Sequence, residues 1–156
     1  VRLAGEAAPR WGRVVATGGD RVAVEDGRPL LAGVPLPQAQ DGTLSEPFAP
    51  SGPRRALPAC GNGAVGLGAD CRTRRLRETL PSGRAYAVLD AGPRPLDRLD
   101  PVTVPPGHLF LMGDDRDAAR DSRLAAAAGG LGLVPVAAVL GRASLVLASA
   151  ASPWDP

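Results

Sequence analysis

The chain has 156 residues, enough for one domain with a real hydrophobic core. Its formal net charge of +2 makes no electrostatic case for nucleic acid, and all eighteen basic residues are arginine, so chemistry that needs a lysine amine has no donor within this sequence. Only 3% of residues are aromatic, against 20 Gly and 17 Pro, a balance that favours short strands and many turns over long packed helices. No run of about eighteen apolar residues is present, so the sequence predicts no membrane-spanning helix of its own. It opens at Val1 without a methionine or signal peptide, and we expect a preceding segment.

In chain order, residues 1–36 read as strands. Arg13-Val-Val-Ala-Thr17 is a short apolar strand ending in the turn Gly18-Gly19-Asp20, and Arg21-Val-Ala-Val-Glu25 alternates. Asp26-Gly27 is a hairpin signal before Arg28-Pro-Leu-Leu-Ala-Gly33. Residues 37–75 lack periodicity and are rich in Gly, Pro, Ser and Arg, which predicts a loop-rich excursion or subdomain. Cys60 and Cys71 bracket a glycine-rich stretch inside it. One histidine and no second cysteine pair argue against zinc, which takes four ligands, and no other metal site is expected. We read the two cysteines as a disulfide, because the excursion has little core of its own; two free thiols are the alternative. Closing so short a loop contributes at most about 3 kcal/mol and calls for an oxidising compartment. Pro81-Ser-Gly83 predicts a second hairpin, and residues 91–103 read as a Pro/Asp-rich connector. Leu109-Phe-Leu-Met112 reads as a buried strand. Leu124-Ala-Ala-Ala-Ala128 allows one helical turn, stopped by Gly129-Gly130; residues 139–147 read as a last strand and 151–156 as a frayed tail.

Directly after the buried strand comes Gly113-Asp-Asp-Arg-Asp-Ala-Ala-Arg-Asp-Ser-Arg123, with four aspartates and three arginines in eleven residues. So many charges sit near a core only when they pair and accept backbone hydrogen bonds. With Val104-Pro-Pro-Gly107 and the strand before it, the stretch resembles the C-terminal signature of bacterial signal peptidase I, which reads Val-Pro-x-Gly-His-Tyr-Phe-x-Met-Gly-Asp-Asn-Arg through to Asp-Ser-Arg. Gly132-Leu-Val-Pro135 and Leu140-Gly-Arg-Ala143 continue the likeness, as does Arg77-Glu-Thr-Leu-Pro81 upstream. Trp11-Gly-Arg-Val-Val-Ala-Thr-Gly-Gly-Asp20 is similar to that family's aromatic-Lys-Arg-Val-Val box, with Gly12 at the lysine position.

The resemblance covers residues 10–149 and implies a mainly β fold: twisted antiparallel sheets or a partial barrel, with residues 1–36 and 76–150 as the core and 37–75 as a loop-rich insertion. It implies cleavage of preproteins by a serine nucleophile and a neutral lysine base, whose pKa is lowered by burial. The nucleophile's box has no counterpart here and belongs upstream of Val1. Gly12 holds the lysine position and Ala119 that of the serine which orients the lysine, so no catalytic residue is expected in this chain. Arg13 cannot act as the base, since a guanidinium does not deprotonate. The family's scaffold persists: Arg13 is expected to pair with Asp114 and Asp121 with Arg123, with Arg116 and Ser122 completing the network, while Asp115 stands at an Asn position. Pro9, Arg10 and Trp11 align with the strand that lines the signal-peptide groove; Trp11 read alone is equally a core aromatic. His108, with Ser122 and Asp114 nearby in sequence, suggests a Ser-His-Asp triad only superficially, because the family keeps this histidine without a catalytic role.

The expected function is therefore a non-cleaving signal peptidase I-like extracytoplasmic domain that keeps the scaffold and binds preproteins, signal peptides or a membrane-protein partner. No cofactor is called for. It would sit at the periplasmic face of the bacterial inner membrane, held by an N-terminal anchor outside this sequence. The alternative is a piece, or an inactivated form, of an active membrane-bound signal peptidase I with Ser/Lys catalysis. A β-rich binding domain of unrelated origin is a third, remoter reading.

Overall fold

The computed structural model describes residues 1–2, 8–51 and 55–144. They form ten strands in three antiparallel sheets, mainly β as expected, with short 3-10 turns and no closed barrel. The first sheet joins β1 (Arg13–Thr17), β9 (His108–Met112) and β10 (Val134–Pro135), with β9 in the middle. The second runs β4 (Val34–Pro35), β3 (Arg28–Leu31), β2 (Arg21–Glu25), β8 (Leu99–Thr103). The third places β6 (Asp70–Thr79) between β5 (Gln38–Pro47) and β7 (Ala85–Asp90).

The unbroken apolar run of β9 follows from its burial on both faces. Phe110 and Met112 enter the main core with Val15, Val22, Val24 and Val104, while Leu111 faces a second cluster with Leu131 and Val134. Strand β1 slips its register against β9 between Val14 and Ala16, and this bulge lets the adjacent Val15 and Ala16 both be buried. Asp26 and Gly27 take φ values of 49° and 75°, the two left-handed residues that a tight hairpin between β2 and β3 needs. Ala32 and Gly33 repeat the device (φ 51° and 82°) before β4.

Three sequence expectations change. The segment 37–75 is bounded by ten-residue strands, β5 and β6, which leaves residues 48–69 between them, of which 52–54 lie outside the described residues. Strand β5 carries no apolar alternation because neither of its faces is fully buried, and periodicity had nothing to report. The connector 91–103 holds a 3-10 turn (Pro95–Asp97) and the edge strand β8, whose Pro101 is tolerable only at an edge. The expected last strand is not formed over 139–144, where Leu140 is largely exposed; its remainder, 145–147, and the tail 151–156 lie outside the described residues.

Strand β6 explains the insertion. Its buried side chains change face along the strand: Cys71 and Thr73 in the first half, Leu76 and Glu78 in the second. The second half rests on the core with Tyr86 and Val88 of β7, and the first half is covered by residues 58–62. There Gly61 N–H donates to Arg72 O (2.7 Å), Thr73 Oγ1 donates to Ala59 O (2.7 Å), and Asn62 bridges Asp70 O and Arg72 N–H. The disulfide Cys60–Cys71 fastens this cover, and no described cysteine is free.

Candidate functional site

The signature loop after β9 is held by two buried arginines. Asp121 receives Arg123 in a fork, Nε to Oδ1 and Nη2 to Oδ2 at 2.9 Å each, and also accepts the backbone N–H groups of Gly113 and Arg123. Arg123 then donates to Arg116 O and Leu96 O. Ser122 pairs with Leu111 twice, its N–H donating to Leu111 O and its Oγ accepting from Leu111 N–H, each at 2.9 Å. Its hydroxyl is thereby committed to backbone. Asp115, where the signature resemblance has Asn, accepts the N–H groups of Asp117 and Ala118, which gives its charge two donors.

Arg116 reaches further than the sequence indicated. It donates to Glu78 (2.5 Å), which is fully buried, and to the carbonyls of Gly113 and Gly27. Glu78 also accepts from the Tyr86 hydroxyl (2.5 Å) and the Gln38 amide (2.7 Å). Burial first, and then the bond to Glu78, push the Tyr86 phenol well above its ordinary pKa. The Arg13 guanidinium lies over the Tyr86 ring at 3.9 Å and forks onto Asp114, Nε to Oδ1 at 2.8 Å and Nη2 to Oδ2 at 2.7 Å. The bond to Asp114 is the main reason that the Arg13 pKa is raised. Glu78, Tyr86 and Gln38 were missed by sequence reasoning. The usable signal was Glu78 itself, a charged residue on the same strand face as the buried Leu76.

The register Arg13↔Met112, extended by one residue, sets Gly12 opposite Gly113. A Cβ on Gly12 would lie 3.2 Å from Leu111 Cβ, so a side chain there shares the face of Leu111 and Gly113. A Cβ on Gly113 would fall 2.3 Å from Ala119 Cβ: the methyl of Ala119 fills the space that only a glycine leaves. Paired residues in an antiparallel sheet have Cβ atoms about 5 Å apart, so position 12 and Ala119 both adjoin Gly113. Beneath them lies the apolar cluster of Leu111, Leu131 and Val134. The arrangement is an apolar floor with neither amine nor hydroxyl at positions 12 and 119.

A pocket of about 270 Å3 opens beside this point, lined by residues 9–11 and 118–121, so Pro9, Arg10 and Trp11 stand together with Ala119 and Asp121. Trp11 is 80% exposed and is no core residue. Arg10 donates to the carbonyls of Arg120, Gly129 and Gly130, tying its segment to the loop. His108 is not drawn into a triad: its Nδ1 lies 3.1 Å from Pro106 O, Ser122 is bonded to Leu111, and Asp114 to Arg13. Among the described residues no cluster of three or more metal-ligating side chains occurs, and no helix is long and apolar enough to cross a membrane.

The signal peptidase I of Rickettsia prowazekii (strain Madrid E) is 34% identical over 87 residues, covering 51% of this chain and 31% of that protein. The chain thus matches about a third of the length of that curated relative. The family profile "Signal peptidase, peptidase S26" matches residues 11–148, nearly the whole chain, and the protein belongs to that family.

Proposed function

We propose that this is the extracytoplasmic domain of a signal peptidase I-type protein that does not cleave by the family's serine–lysine chemistry and keeps a groove for signal peptides or preproteins. The observation that carries the reading is that Gly12 and Ala119 both adjoin Gly113, beside the floor of Leu111, Leu131 and Val134, and that neither carries an amine or hydroxyl. A lysine at position 12 would project over that floor, where lost hydration lowers an amine's pKa, and a hydroxyl at 119 would meet it. Both groups are absent while the ion pairs around them, Arg13 with Asp114 and Asp121 with Arg123, remain. Arg13 cannot substitute, being permanently charged and committed to Asp114. In this reading residues 37–75 are an insertion into the core, the protein is held at the periplasmic face of the inner membrane by an anchor upstream of Val1, and a membrane-protein partner is an alternative occupant of the groove.

The test is preprotein cleavage in detergent by the full-length protein with its upstream segment, comparing the natural sequence, Gly12→Lys, Ala119→Ser and the double variant. General-base help is worth about 10²–10⁴-fold, so the natural sequence should be inactive and the double variant should exceed either single one. Efficient cleavage by the natural protein, lost when its own upstream serine is replaced, would show that another base is in use and overturn the reading. A second reading, an active enzyme inactivated at this position, draws on the backbone of Gly12: its φ lies outside the left-handed range, and a Cβ there would meet Leu111 Cβ at 3.2 Å, a tight contact that a shift of a few tenths of an ångström in Leu111 relieves. Recovery of full activity by Gly12→Lys alone would favour it.

A further inference from the structure

We propose that the Cys60–Cys71 disulfide is a redox-cleavable latch: a dithiol reductant opens it from Cys60, which frees residues 58–62 from β6 and loosens the loop that leads into the pocket wall. The first observation is how lightly the latched segment is otherwise held. Residues 58–62 are at most half-buried, and none of them belongs to the core. They hold β6 by hydrogen bonds: Gly61 N–H to Arg72 O, Thr73 Oγ1 to Ala59 O, and the two surface bonds of the Asn62 amide. Bonds that water can replace contribute little net stability, so the covalent bond is the main fastening. The second observation is unequal access. Cys71 is fully buried and Cys60 half-buried, so an incoming thiolate reaches the Cys60 sulfur. Its attack breaks the S–S bond, forms a mixed disulfide on Cys60 and expels the Cys71 sulfur as a thiolate, which takes up a proton. The reductant's second thiol then closes its own disulfide and releases Cys60 as a thiol. Two electrons and two protons pass to the protein, and the dithiol is oxidised to a disulfide.

The third observation is what the latched segment touches. A Cβ on Gly61 would lie 3.2 Å from Arg72 O and 3.3 Å from Ala91 O, so the bare backbone of Gly61 packs closely against β6 and against the residue that follows β7. Ala91 N–H donates to the Asp117 carboxylate, and Leu89 bonds the same loop twice, its N–H to Asp114 O (2.8 Å) and its O from Arg116 N–H (3.0 Å). Asp117 directly precedes Ala118, one of the residues that line the pocket. Its side chain is 2% exposed, and burial is the main cause of its raised pKa. When residues 58–62 lift from Ala91, water reaches this contact, the carboxylate gains hydration by leaving, and the loop loses an anchor. The coupling concerns the order of the loop and holds whatever the pocket binds.

The experiment is amide hydrogen exchange by NMR on the full chain, oxidised and then in excess dithiothreitol, with Cys60→Ala plus Cys71→Ala as a second route to the unlatched state. The Gly61 and Arg72 amides should exchange up to about a hundredfold faster without the disulfide, the ceiling that loop-closure entropy sets. Ala91 and Arg116 should follow by about tenfold or more, as their bonds between β7 and the loop open. Leu111 and Ser122, bonded to one another beyond the loop, should keep their protection. If the double variant does not fold, the reduced natural chain decides by itself. Unchanged exchange at Ala91 and Arg116 overturns the coupling. An equal gain at Leu111 and Ser122 overturns the latch, since the disulfide would then hold the whole fold. Reduction that proceeds only in urea strong enough to unfold the chain overturns the attack at Cys60 in the native state.

Discussion

Replacing Glu78 with Gln tests the idea that a buried charge holds the signature loop to the third sheet. The Glu78 and Arg116 side chains are 0% and 3% exposed and meet at 2.5 Å. Gln keeps the shape and can still accept from Tyr86 or Gln38, but it leaves the Arg116 cation buried without a counter-charge. Breaking such a pair from one side costs about 3–5 kcal/mol. The lower end applies, because Arg116 retains the carbonyls of Gly113 and Gly27. Against a total of about 5–15 kcal/mol for a domain, that loss is a large share. The double variant Glu78→Met with Arg116→Met removes both charges and leaves the Gly113 and Gly27 carbonyls, the Tyr86 hydroxyl and the Gln38 amide without these partners, about 1 kcal/mol or somewhat more each. It should therefore be less destabilised than the sum of its single variants, with a coupling above about 1 kcal/mol. Urea unfolding followed by circular dichroism measures all five proteins: the parent, Glu78→Gln, the two Met single variants and the double variant. A Glu78→Gln variant within about 1 kcal/mol of the parent, or strict additivity in the cycle, would refute the argument.

Thiol titration of the denatured, unreduced protein should find no free cysteine, and Cys60→Ser with Cys71→Ser should cost no more than about 3 kcal/mol, read by the same urea assay. Arg13→Ala should cost only about 1 kcal/mol and less at high salt, because the Arg13 and Asp114 side chains are 29% and 49% exposed; a loss several times larger would mean that the stacking on Tyr86 dominates. Tyr86 is the chain's single tyrosine, so ultraviolet titration follows it alone. Its phenol is raised in the folded state, so above about pH 10 the unfolded chain releases that proton first and stability falls as pH climbs. Tyr86→Phe should remove this alkaline slope, and a phenol that titrates near pH 10 in the folded protein would contradict the burial argument.

The elements readable from sequence were those whose local code agrees with their tertiary role. Asp26-Gly27 specified its hairpin because only two left-handed residues close that turn, and the Leu109-Phe-Leu-Met112 run specified a strand buried on both faces. The motif order alone placed Gly12 and Ala119 at the positions where the family resemblance carries its lysine and orienting serine. Strands β5 and β8 were illegible, since one has no buried face to impose alternation and the other carries a proline at a sheet edge. The acid that Arg116 meets and the ring beneath Arg13 were decided only by folding, whereas the Arg13–Asp114 pair was already expected from the resemblance. Glu78 lies 38 positions away from Arg116 in sequence, and nothing local distinguishes the acid that an arginine will meet from fifteen others. The same holds for the space at Gly113. A sequence shows a glycine there, but only the packed loop shows that the methyl of Ala119 occupies the place of its missing side chain. Propensity acts over neighbouring residues, whereas contact and burial, which set charge pairing and the face a side chain shares, are properties of the assembled sheets.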